Sequence, residues 1–556
     1  MKNTSEKINL RKPVHVSLKY KLRLFLIPLL ANVGRIMGFA WAKMGDLLGR
    51  EVLLTQVSKI ERSGILDLKK SKNPPHQEDI IFLTMIGGNA YNASVDVALG
   101  LALSARGHRV RFVVCDQALP ACEVKKSGKE SDWNAACGKC WAFASKYFTA
   151  AGLSVIPVSS LLRNFDKHTP QNDWDHYVQA ALLKHLQVGS TDGLPNLNEK
   201  KLAFTQAAQI SAQVGQSIIS MKPTKVIMSH GIYSTWGPAR ELFNQAGIPV
   251  VTYGKGKKKH TQKFNWDTSS DWWGVETEWE RVKDIELSTS EKNKIDSYLE
   301  SRKNHTNDTL VYNFGSEEEA SETRRRFNLD VNKPTFTLFT NVLWDAASAQ
   351  REIVFSNPIE WTMETIKWFA EHPDRQLIIK IHPAEAVIGT RQPFASIIRK
   401  TFPQLPSNVR MIEPSEVVNS WSILRVTDLG LVHTSTVGME LPLEGVPVAC
   451  VSRTHYRDKG FTIDVKSKIE YFNLLENWRR GARDMEKDKV LALRYAHLLF
   501  ERYQLPWNCF YEPNHTDIRA FNFNSTAELL EDKTISLVVD AIERRTDFLI
   551  PRDLNH

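Results

Sequence analysis

The sequence lacks the features that would place the protein outside the cytoplasm or on nucleic acid. Six cysteines in 556 residues are too few for a disulfide-stabilised scaffold, and no pattern of a cleavable signal peptide precedes them. Signatures of zinc fingers, helix-turn-helix domains and RNA-recognition motifs are also missing. We therefore expect a cytoplasmic protein that does not bind nucleic acid.

A long uninterrupted apolar run is missing as well. The most apolar stretch near the amino terminus, 22–41, is broken by Pro28, Asn32 and Arg35, so it falls short of a membrane-spanning helix. It belongs to a basic, amphipathic segment, 1–75. This segment either lies in the interface of an anionic membrane or docks on the protein's own core. In the first case the protein would be peripheral on the inner face of the cytoplasmic membrane.

The composition is that of a globular protein, with 42% hydrophobic and 24% charged residues. The chain is too long for one hydrophobic core, so we expect two or three domains. Its net charge of +9 favours anionic partners such as a nucleotide sugar or a phospholipid surface. A highly charged stretch, 291–332, marks the connection between two lobes.

The first lobe is predicted to open with a βαβ unit. A strand at 80–85 leads into a turn at Gly87, Gly88 and Asn89, and a helix then ends before a second strand. Glycines let a backbone turn tightly beside a ligand. The G-x-G-x-x-G pattern of dinucleotide-binding proteins is absent, so this turn is not a dinucleotide fingerprint.

Four cysteines follow the second strand: Cys115, Cys122, Cys137 and Cys140. The last two are separated by two residues, a spacing that suits two thiolates on one metal ion. Two interpretations follow from this cluster. It either holds a structural zinc ion or iron–sulfur cluster, or consists of free or transiently paired thiols.

In the second half of the chain, two buried strands at 377–381 and 429–432 end at small or polar residues. Parallel strands place ligand groups at such ends, and the amides and dipole of a following helix would face a phosphate. The candidate residues at or beside these ends are Lys380, His382, Ser435, Thr436, Gly438 and Glu440. Each of four residues can also be interpreted as purely structural. His382 could cap a strand, Ser435 and Thr436 could cap the following helix, and Glu440 could be an acid of its first turn.

The order of these residues, followed by Gly445-x-Pro447, resembles the donor half of GT-B glycosyltransferases. The resemblance is to the bacterial capsule polysaccharide biosynthesis family, which includes Kdo transferases. It implies that His382, Ser435, Thr436 and Glu440 grip the nucleotide and phosphate of an activated sugar, and that Gly87, Gly88 and Asn89 bind the acceptor. Lys380 could help to stabilise the departing phosphate. Transfer in this fold is expected to need no metal cofactor.

A base is needed to activate the acceptor hydroxyl, and the first lobe offers several candidates. His230 follows a predicted strand, where an imidazole could take a proton near neutral pH. It can equally be interpreted as a core histidine or a substrate-binding residue. Asp96, Asp116 and Glu276 are the rival candidates.

A basic stretch, 255–260, follows these candidates and precedes Trp272 and Trp273. Its lysines could hold an anionic acceptor or the donor phosphate, and the indoles offer flat faces to sugar rings. The stretch therefore either faces the cleft between the lobes or is a solvated loop above buried tryptophans.

Together these features predict an α/β protein of two Rossmann-like lobes of the GT-B type, with a basic helical amino-terminal segment and carboxy-terminal helices. The basic segment, acceptor lobe, connection, donor lobe and carboxy-terminal helices are expected at 1–75, 76–290, 291–332, 333–480 and 481–556. The expected function is transfer of a sugar from a nucleotide-sugar donor to a capsular or lipopolysaccharide-type polysaccharide or a glycolipid. Polyol-phosphate transfer, sugar epimerisation and a non-catalytic role in a polysaccharide export complex remain alternatives.

Overall fold

The computed structural model describes residues 42–62, 77–123, 133–162, 173–303, 306–309, 315–345, 350–511, 518 and 520–552. The helices in this part are α1 (Ala42–Lys59), α2 (Ala90–Ala105), α3 (Trp133–Ala150), α4 (Val158–Leu162), α5 (Asp175–Leu186), α6 (Leu197–Ser220), α7 (Tyr233–Gln245), α8 (Glu276–Val282), α9 (Thr289–Lys303), α10 (Ala320–Arg326), α11 (Pro358–Glu371), α12 (Ala384–Ile388), α13 (Phe394–Thr401), α14 (Ser420–Leu424), α15 (Val437–Leu443), α16 (Lys468–Asn477), α17 (Met485–His497), α18 (Thr526–Glu531) and α19 (Lys533–Arg544). A π-helix, Leu498–Tyr503, continues α17.

The strands of the described residues are β1 (Asp79–Thr84), β2 (Arg109–Val114), β3 (Ser154–Pro157), β4 (Lys225–Ser229), β5 (Val250–Lys255), β6 (Thr261–Trp266), β7 (Thr335–Phe339), β8 (Gln376–Lys380), β9 (Val409–Ile412), β10 (Leu429–Val432), β11 (Val448–Cys450), β12 (Ile463–Asp464), β13 (Leu505–Pro506), β14 (Phe510–Tyr511) and β15 (Ala520–Phe521). The stretch 22–41 lies outside the described residues. Within them, every helix is too short or too polar to cross a bilayer.

The amino lobe is built on a seven-stranded sheet of order β13-β6-β5-β4-β1-β2-β3. The interior strand β1 is parallel to both neighbours, with Ile80 opposite Val110 of β2 and Lys225 of β4. Ile80 and the three apolar residues after it are fully buried, as is typical of parallel strands covered on both faces. The edge differs, because β6 runs antiparallel to β5 and forms a hairpin with it.

The carboxy lobe has a six-stranded sheet of order β12-β11-β10-β7-β8-β9, in which every neighbouring pair is parallel. The carboxyl ends of its strands therefore meet at one edge, which is the edge that faces the amino lobe. The structure confirms the predicted α/β fold with two Rossmann-like lobes.

Two capped helices cover one face of the carboxy-lobe sheet. The side chain of Asn357 accepts the N–H of Glu360 at 2.8 Å, and Pro358 occupies the first position of α11. Helix α16 begins in the same way at Ser467. The two helices are joined by a buried hydrogen bond of 3.1 Å between Trp361 Nε1 and the hydroxyl of Tyr471.

The carboxy-terminal part of the chain returns to the amino lobe. Strand β13 extends the amino-lobe sheet by pairing with β6. Helix α19 packs on α2, where Asp540 binds Arg106 at 2.9 Å and Glu543 binds His108 at 2.9 Å. The chain thus passes between the two lobes twice.

The segment just before α8 packs with the carboxy lobe. Trp273, Val275 and Trp279 share a hydrophobic cluster with Val432 and Val448 of the carboxy-lobe strands. The chain therefore begins to pack with the carboxy lobe before the charged connection at 291–332.

Candidate active site

A cleft of about 580 Å³ lies between the lobes, and its wall contains residues from both sheets. This volume is in the range of small-molecule sites. Eight lysine or arginine and four acidic side chains line it: Lys184, Lys255, Lys257, Lys263, Arg302, Arg351, Lys380, Arg453, Asp271, Asp308, Asp345 and Glu440. The excess of positive charge favours an anionic ligand.

The tips of β7, β8 and β10, which are neighbours in the sheet, form the carboxy-lobe wall. Backbone and side chains bind these tips to one another. The N–H of Thr340 donates to the carbonyl of Lys380 at 3.1 Å, and the N–H of His382 donates to the Thr340 hydroxyl at 2.9 Å. The N–H of Thr434 donates to Asn341 Oδ1 at 3.2 Å. These contacts hold the tips in one arrangement.

The imidazole of His382 is neutral and its tautomer is fixed. Its Nδ1 accepts the backbone N–H of Ala384 at 3.2 Å, so the hydrogen of the neutral ring is on Nε2. Burial, together with the nearby Lys257 and Lys380, lowers the pKa of His382 to about 4. His382 therefore lines the cleft as a hydrogen-bond donor at physiological pH.

Lys380 lines the same wall and is only 3% exposed. Its Nζ has no hydrogen-bond partner among the described residues. Burial lowers the pKa of Lys380 to about 8, so the ammonium is still mostly charged at pH 7. A buried charge without a partner is costly. Its position in the cleft wall suits the binding of an anion there.

Ser435 and Thr436 also line the cleft, just before α15. Two backbone N–H groups of the first turn, which the sequence predicts to be free for a phosphate, already donate hydrogen bonds within the protein. The N–H of Gly438 donates to the Ser435 carbonyl at 3.1 Å, and the N–H of Met439 donates to the Thr436 carbonyl at 3.0 Å. An anion in this part of the cleft would therefore rely on side-chain cations more than on the start of a seven-residue helix.

Gly438 has a packing role and does not line the cleft. A Cβ atom at this position would lie 2.4 Å from the hydroxyl of Tyr456. That hydroxyl donates to the Ser435 carbonyl at 2.6 Å. The glycine therefore lets Tyr456 approach and fix the loop that carries Ser435.

Glu440 lines the cleft, but its carboxylate is already paired. Arg302 of α9 donates to it from Nε at 2.9 Å and also from Nη2. The same guanidinium donates from Nη1 to Asp308 at 2.9 Å. Both Arg302 and Glu440 are buried. This network ties α9 to α15 and makes Glu440 a structural part of the cleft wall.

The three residues predicted to be catalytic do not line the cleft. Asp96 is 2% exposed and is bound by the hydroxyls of Thr84 and Tyr253 at 2.6 and 2.7 Å. Burial raises the pKa of Asp96 to about 7. Glu276 is exposed at the start of α8. His230 is half-buried at the end of β4 and stacks on Trp236 with ring centroids 5.8 Å apart.

The rival candidate Asp116 is buried as well, and it accepts the N–H of Ser159 at 2.9 Å. The side chains of Asp96 and Asp116 are thus held inside the amino lobe. A strand end in the sequence does not distinguish such a position from one that opens on the cleft.

The predicted acceptor turn, Gly87, Gly88 and Asn89, packs against α3 and is not part of the cleft wall. A Cβ at Gly87 would lie 2.4 Å from that of Ala144. The side chain of Asn89 caps α2. Acceptor binding by this turn stays a prediction.

The N–H of Gly88 donates to the sulfur of Cys140 at 3.0 Å. Burial raises the pKa of Cys115 and that of Cys140, the latter to about 12, so both are protonated thiols. Cys122 and Cys137 are half-buried. In the described ranges no three histidine, cysteine or acidic residues come together as metal ligands. A structural metal at the four cysteines stays a prediction that metal analysis of the purified protein would test.

The amino-lobe side of the cleft is formed by the β5–β6 hairpin and the loop after it. The hairpin contributes Lys255, Lys257 and Lys263, and the loop contributes Asp271 and Trp273. Sequence reasoning left open whether the 255–260 stretch faces the cleft, and the structure places Lys255 and Lys257 in its wall. Lys263 and Asp271 were missed. The available signal was a lysine in the middle of a strand-like, aromatic segment.

Asp271 is the amino-lobe carboxylate of this wall. It binds Lys263 at 2.8 Å, and its backbone carbonyl accepts from Arg351 at 2.8 Å. Burial alone would raise its pKa, but the positive charges of Lys263 and Arg351 and the hydrogen bond from Lys263 hold the pKa of Asp271 far below its usual range. Asp271 is therefore an anion at any physiological pH.

Comparison with known proteins assigns the carboxy lobe. Residues 295–503 match the family model for capsule polysaccharide biosynthesis protein. No curated protein matches the chain. The solved structures that are similar to it include the β-Kdo 2,4-transferase KpsC of Thermosulfurimonas dismutans, which is 17% identical, with 50% of this chain and 81% of that chain covered and a TM-score of 0.32.

Another similar structure is the UDP-GlcNAc 2-epimerase of Neisseria meningitidis bound to UDP-GlcNAc, which is 12% identical, with 74% of this chain and 93% of that chain covered and a TM-score of 0.24. Scores this low support no inference about function. The family match is different, because it contains every predicted donor-side residue from Lys380 to Glu440. It confirms the resemblance predicted from the sequence: residues 295–503 are similar to the capsule polysaccharide biosynthesis family.

Proposed function

We propose that the protein is a glycosyltransferase that moves a sugar from a nucleotide-sugar donor to a capsular or lipopolysaccharide-type polysaccharide or a glycolipid. The observation that carries this proposal is the buried, unpartnered ammonium of Lys380 beside the neutral imidazole of His382. Both line a cleft between two lobes. They lie in the segment that matches the capsule polysaccharide family.

The donor phosphate would bind at this pair. Lys380 supplies a positive charge and His382 supplies the Nε2–H, while Lys257 lies close enough to lower the pKa of His382. When the bond from the sugar to the phosphate breaks, negative charge grows on the departing oxygen. Fixed donors and cations stabilise that charge in a site shielded from water. In this proposal no metal cofactor is required for transfer.

The amino lobe would supply Asp271 to the reacting centre. That His230, Asp96 or Glu276 takes the proton of the acceptor hydroxyl stays a prediction. A carboxylate with such a low pKa is a poor proton acceptor, because general bases work best with a pKa near the working pH. It is a good stabiliser of positive charge, which develops at the anomeric carbon when a glycosidic bond is broken. Asp271 would therefore act on the sugar and not on the acceptor proton.

Contacts between the lobes would limit hydrolysis of the donor. Lys184 of α5 lies over the ring of Trp344 at 4.4 Å, across the cleft. Gln392 Oε1 accepts the N–H groups of Gly189 and Ser190 at 3.2 and 3.1 Å. These contacts close one side of the cleft, and a closed cleft excludes water from the reacting centre.

The test is ligand binding by the full chain and its Lys380→Met variant. CMP-, UDP- and GDP-sugars are screened for thermal stabilisation, since a bound ligand raises apparent stability by mass action. One nucleotide class should stabilise the wild type. Lys380→Met should weaken that binding about 100-fold, because a charge-assisted hydrogen bond is lost. Lys367→Met, at an exposed position of α11, is the matched control and should bind like the wild type.

Transfer is then measured with the nucleotide sugar that binds. Stabilisation by none of the donors, or equal binding by both variants, would contradict the proposal. Product analysis separates the remaining activities. Epimerised donor or transferred polyol phosphate would indicate another enzyme class, and binding without turnover would indicate an assembly protein.

A further inference from the structure

A second imidazole, His455, lines the cleft on the side away from His382. It follows β11, whereas His382 follows β8, and two strands lie between them in the sheet. Strand spacing of about 4.8 Å puts the two strand tips about 14 Å apart. His455 therefore comes from a strand end separate from the one that carries the proposed phosphate site.

The tautomer of His455 follows from its hydrogen bonds. The hydroxyl of Tyr495 donates its single hydrogen to the backbone carbonyl of His455 at 2.7 Å. The same hydroxyl lies 3.0 Å from His455 Nδ1, so it must accept a hydrogen from this nitrogen. In the neutral ring the lone pair is then on Nε2. His455 is thus a hydrogen-bond acceptor, the opposite of His382.

The Nε2 atom of His455 has no hydrogen-bond partner in the described part of the chain. The residue is 9% exposed, so water has little access to it. An acceptor buried without a partner costs free energy. The ring is also held in place, because it stacks on Trp273 with centroids 4.8 Å apart and an interplanar angle of 22°.

The backbone around Trp273 is strained, with a φ of +64°. Bulky residues rarely adopt this conformation, and it persists at sites where the surroundings impose it. Here the strain places the indole against His455 and under the ammonium of Lys263, which lies 4.1 Å from the ring centroid. The platform that orients the imidazole is therefore a built feature of the cleft.

Burial and the charges of Lys257, Lys263 and Arg351 hold the pKa of His455 well below its usual range. The ring stays neutral beside these cations, and a lone pair repels an anionic oxygen. Only an O–H or N–H group of a ligand can donate a hydrogen bond to the lone pair of His455 Nε2. In a cleft that is otherwise cationic, Nε2 thus selects for a neutral donor group on an anionic ligand.

We propose that His455 accepts a hydrogen bond from a sugar hydroxyl of the bound substrate and thereby determines which sugars the protein accepts. This inference rests on the proposed function, because it needs a sugar in the cleft. A site built to bind a hydroxyl rejects the analogue that lacks it, since the buried acceptor is then left unpaired. His455 is a positioning residue and need not take part in bond breaking.

The experiment pairs deletion of the residue with deletion of the hydroxyl. The substrate is the nucleotide sugar that the wild type turns over, and the analogues are its single deoxy derivatives on the sugar ring. One derivative should have a kcat/KM about 10- to 100-fold below that of the full substrate. His455→Phe keeps an aromatic ring against Trp273. In this variant the kcat/KM of the full substrate should fall to the value for that derivative.

His372→Phe is the matched control, because this imidazole stacks on Trp368 with centroids 3.8 Å apart and lies outside the cleft wall. It should keep the wild-type preference. Tyr495→Phe removes the group that fixes the tautomer. It should move the imidazole ¹⁵N signals of His455 away from the Nδ1–H form and reduce the discrimination.

Two results would overturn the inference while the proposed function stands. In one, the wild type transfers sugar but treats every deoxy derivative like the full substrate. In the other, His455→Phe keeps the wild-type discrimination. If His455→Phe does not fold, unchanged discrimination in Tyr495→Phe, with the tautomer released, has the same meaning. Failure of the wild type to bind any nucleotide sugar would instead contradict the proposed function.

Discussion

In the carboxy lobe the cleft wall contains strand tips, whereas in the amino lobe it is formed mainly by a hairpin and the loop after it. Lys380 and His382 lie where β8 ends in an all-parallel sheet. Lys263 and Asp271 lie on β6 and beyond, at the point where the sheet becomes antiparallel. The two lobes therefore bring charged groups to the same cleft by different backbone routes.

The two lobes also differ in the role that we propose for their charged groups. The carboxy lobe presents a cation without a partner, Lys380, which suits an incoming anion. The amino lobe presents an anion that is already held by Lys263 at 2.8 Å. A fixed carboxylate does not attract a second anion, but it can stabilise positive charge on a sugar. The carboxy lobe is thus the binding side and the amino lobe the reacting side.

The strongest test of this division is Asp271→Asn. The amide keeps the shape of the side chain and removes its charge, so the transfer rate should fall about 1,000-fold. Donor affinity, measured by calorimetry, should change much less. Glu276→Gln, at an exposed site five positions along the chain, is the control and should keep the wild-type rate. Loss of donor affinity in Asp271→Asn, with the rate per bound donor unchanged, would break the division between the lobes.

A smaller effect distinguishes paired from unpaired charges inside the carboxy lobe. Glu440→Gln removes one of the two buried carboxylates that pair with Arg302 and leaves Asp308 as the other, and the free energy of unfolding should fall by about 3 kcal/mol. Lys380→Met removes a buried ammonium that has no partner, so it should raise that free energy by about 1 kcal/mol. Denaturant unfolding without ligand measures both. Changes of the same sign in the two variants would show that the carboxy lobe does not keep Lys380 for a ligand.

The sequence alone could locate the carboxy-lobe side of the site. A buried run that ends at His382 has a geometric meaning in a parallel sheet, because neighbouring strands end at the same edge. Lys380, Ser435, Thr436 and Glu440 were found in the same way, and all line the cleft. The pairing of Glu440 with Arg302 could not be predicted, because 138 positions separate them.

The amino-lobe side could not be located from strand ends. His230 follows β4, yet its ring packs on Trp236 and is not part of the cleft wall. The cleft residues Lys263 and Asp271 lie on β6 and just after it. No local sequence pattern predicted that β6 runs antiparallel to β5. Burial of Asp96 by Tyr253 likewise depends on a contact between distant parts of the chain.

Raising the pH should weaken donor binding by the carboxy-lobe residue Lys380. The pKa of Lys380 is lowered to about 8, so its charge is lost as the pH rises through 8, and affinity for the anionic donor should fall several-fold by pH 9. Stability without ligand should change in the opposite direction. Between pH 8 and the unfolded pKa near 10.4 the unfolded chain binds more protons, so this lysine destabilises the fold less as the pH rises.

Lys380→Met should lose both of these pH dependences. Asp271 stays ionised throughout, so it adds no change over this range. The measurement is donor affinity and thermal unfolding at pH 7 and pH 9 for the wild type and the variant. A wild-type affinity that is equal at both pH values would show that the Lys380 charge does not bind the donor.

Metal removal should have the smallest effect. It tests whether the lysine side chains of the two lobes alone can balance the charge of the departing phosphate. Lys257 from the amino lobe and Lys380 from the carboxy lobe both line the cleft, and both lie near His382. Because these groups can balance the charge of the departing phosphate, the transfer rate should stay within about twofold after dialysis against EDTA. A loss of activity that Mg²⁺ or Mn²⁺ restores would mean that the cations of the two lobes do not suffice and that the acidic residues of the cleft hold a metal during transfer.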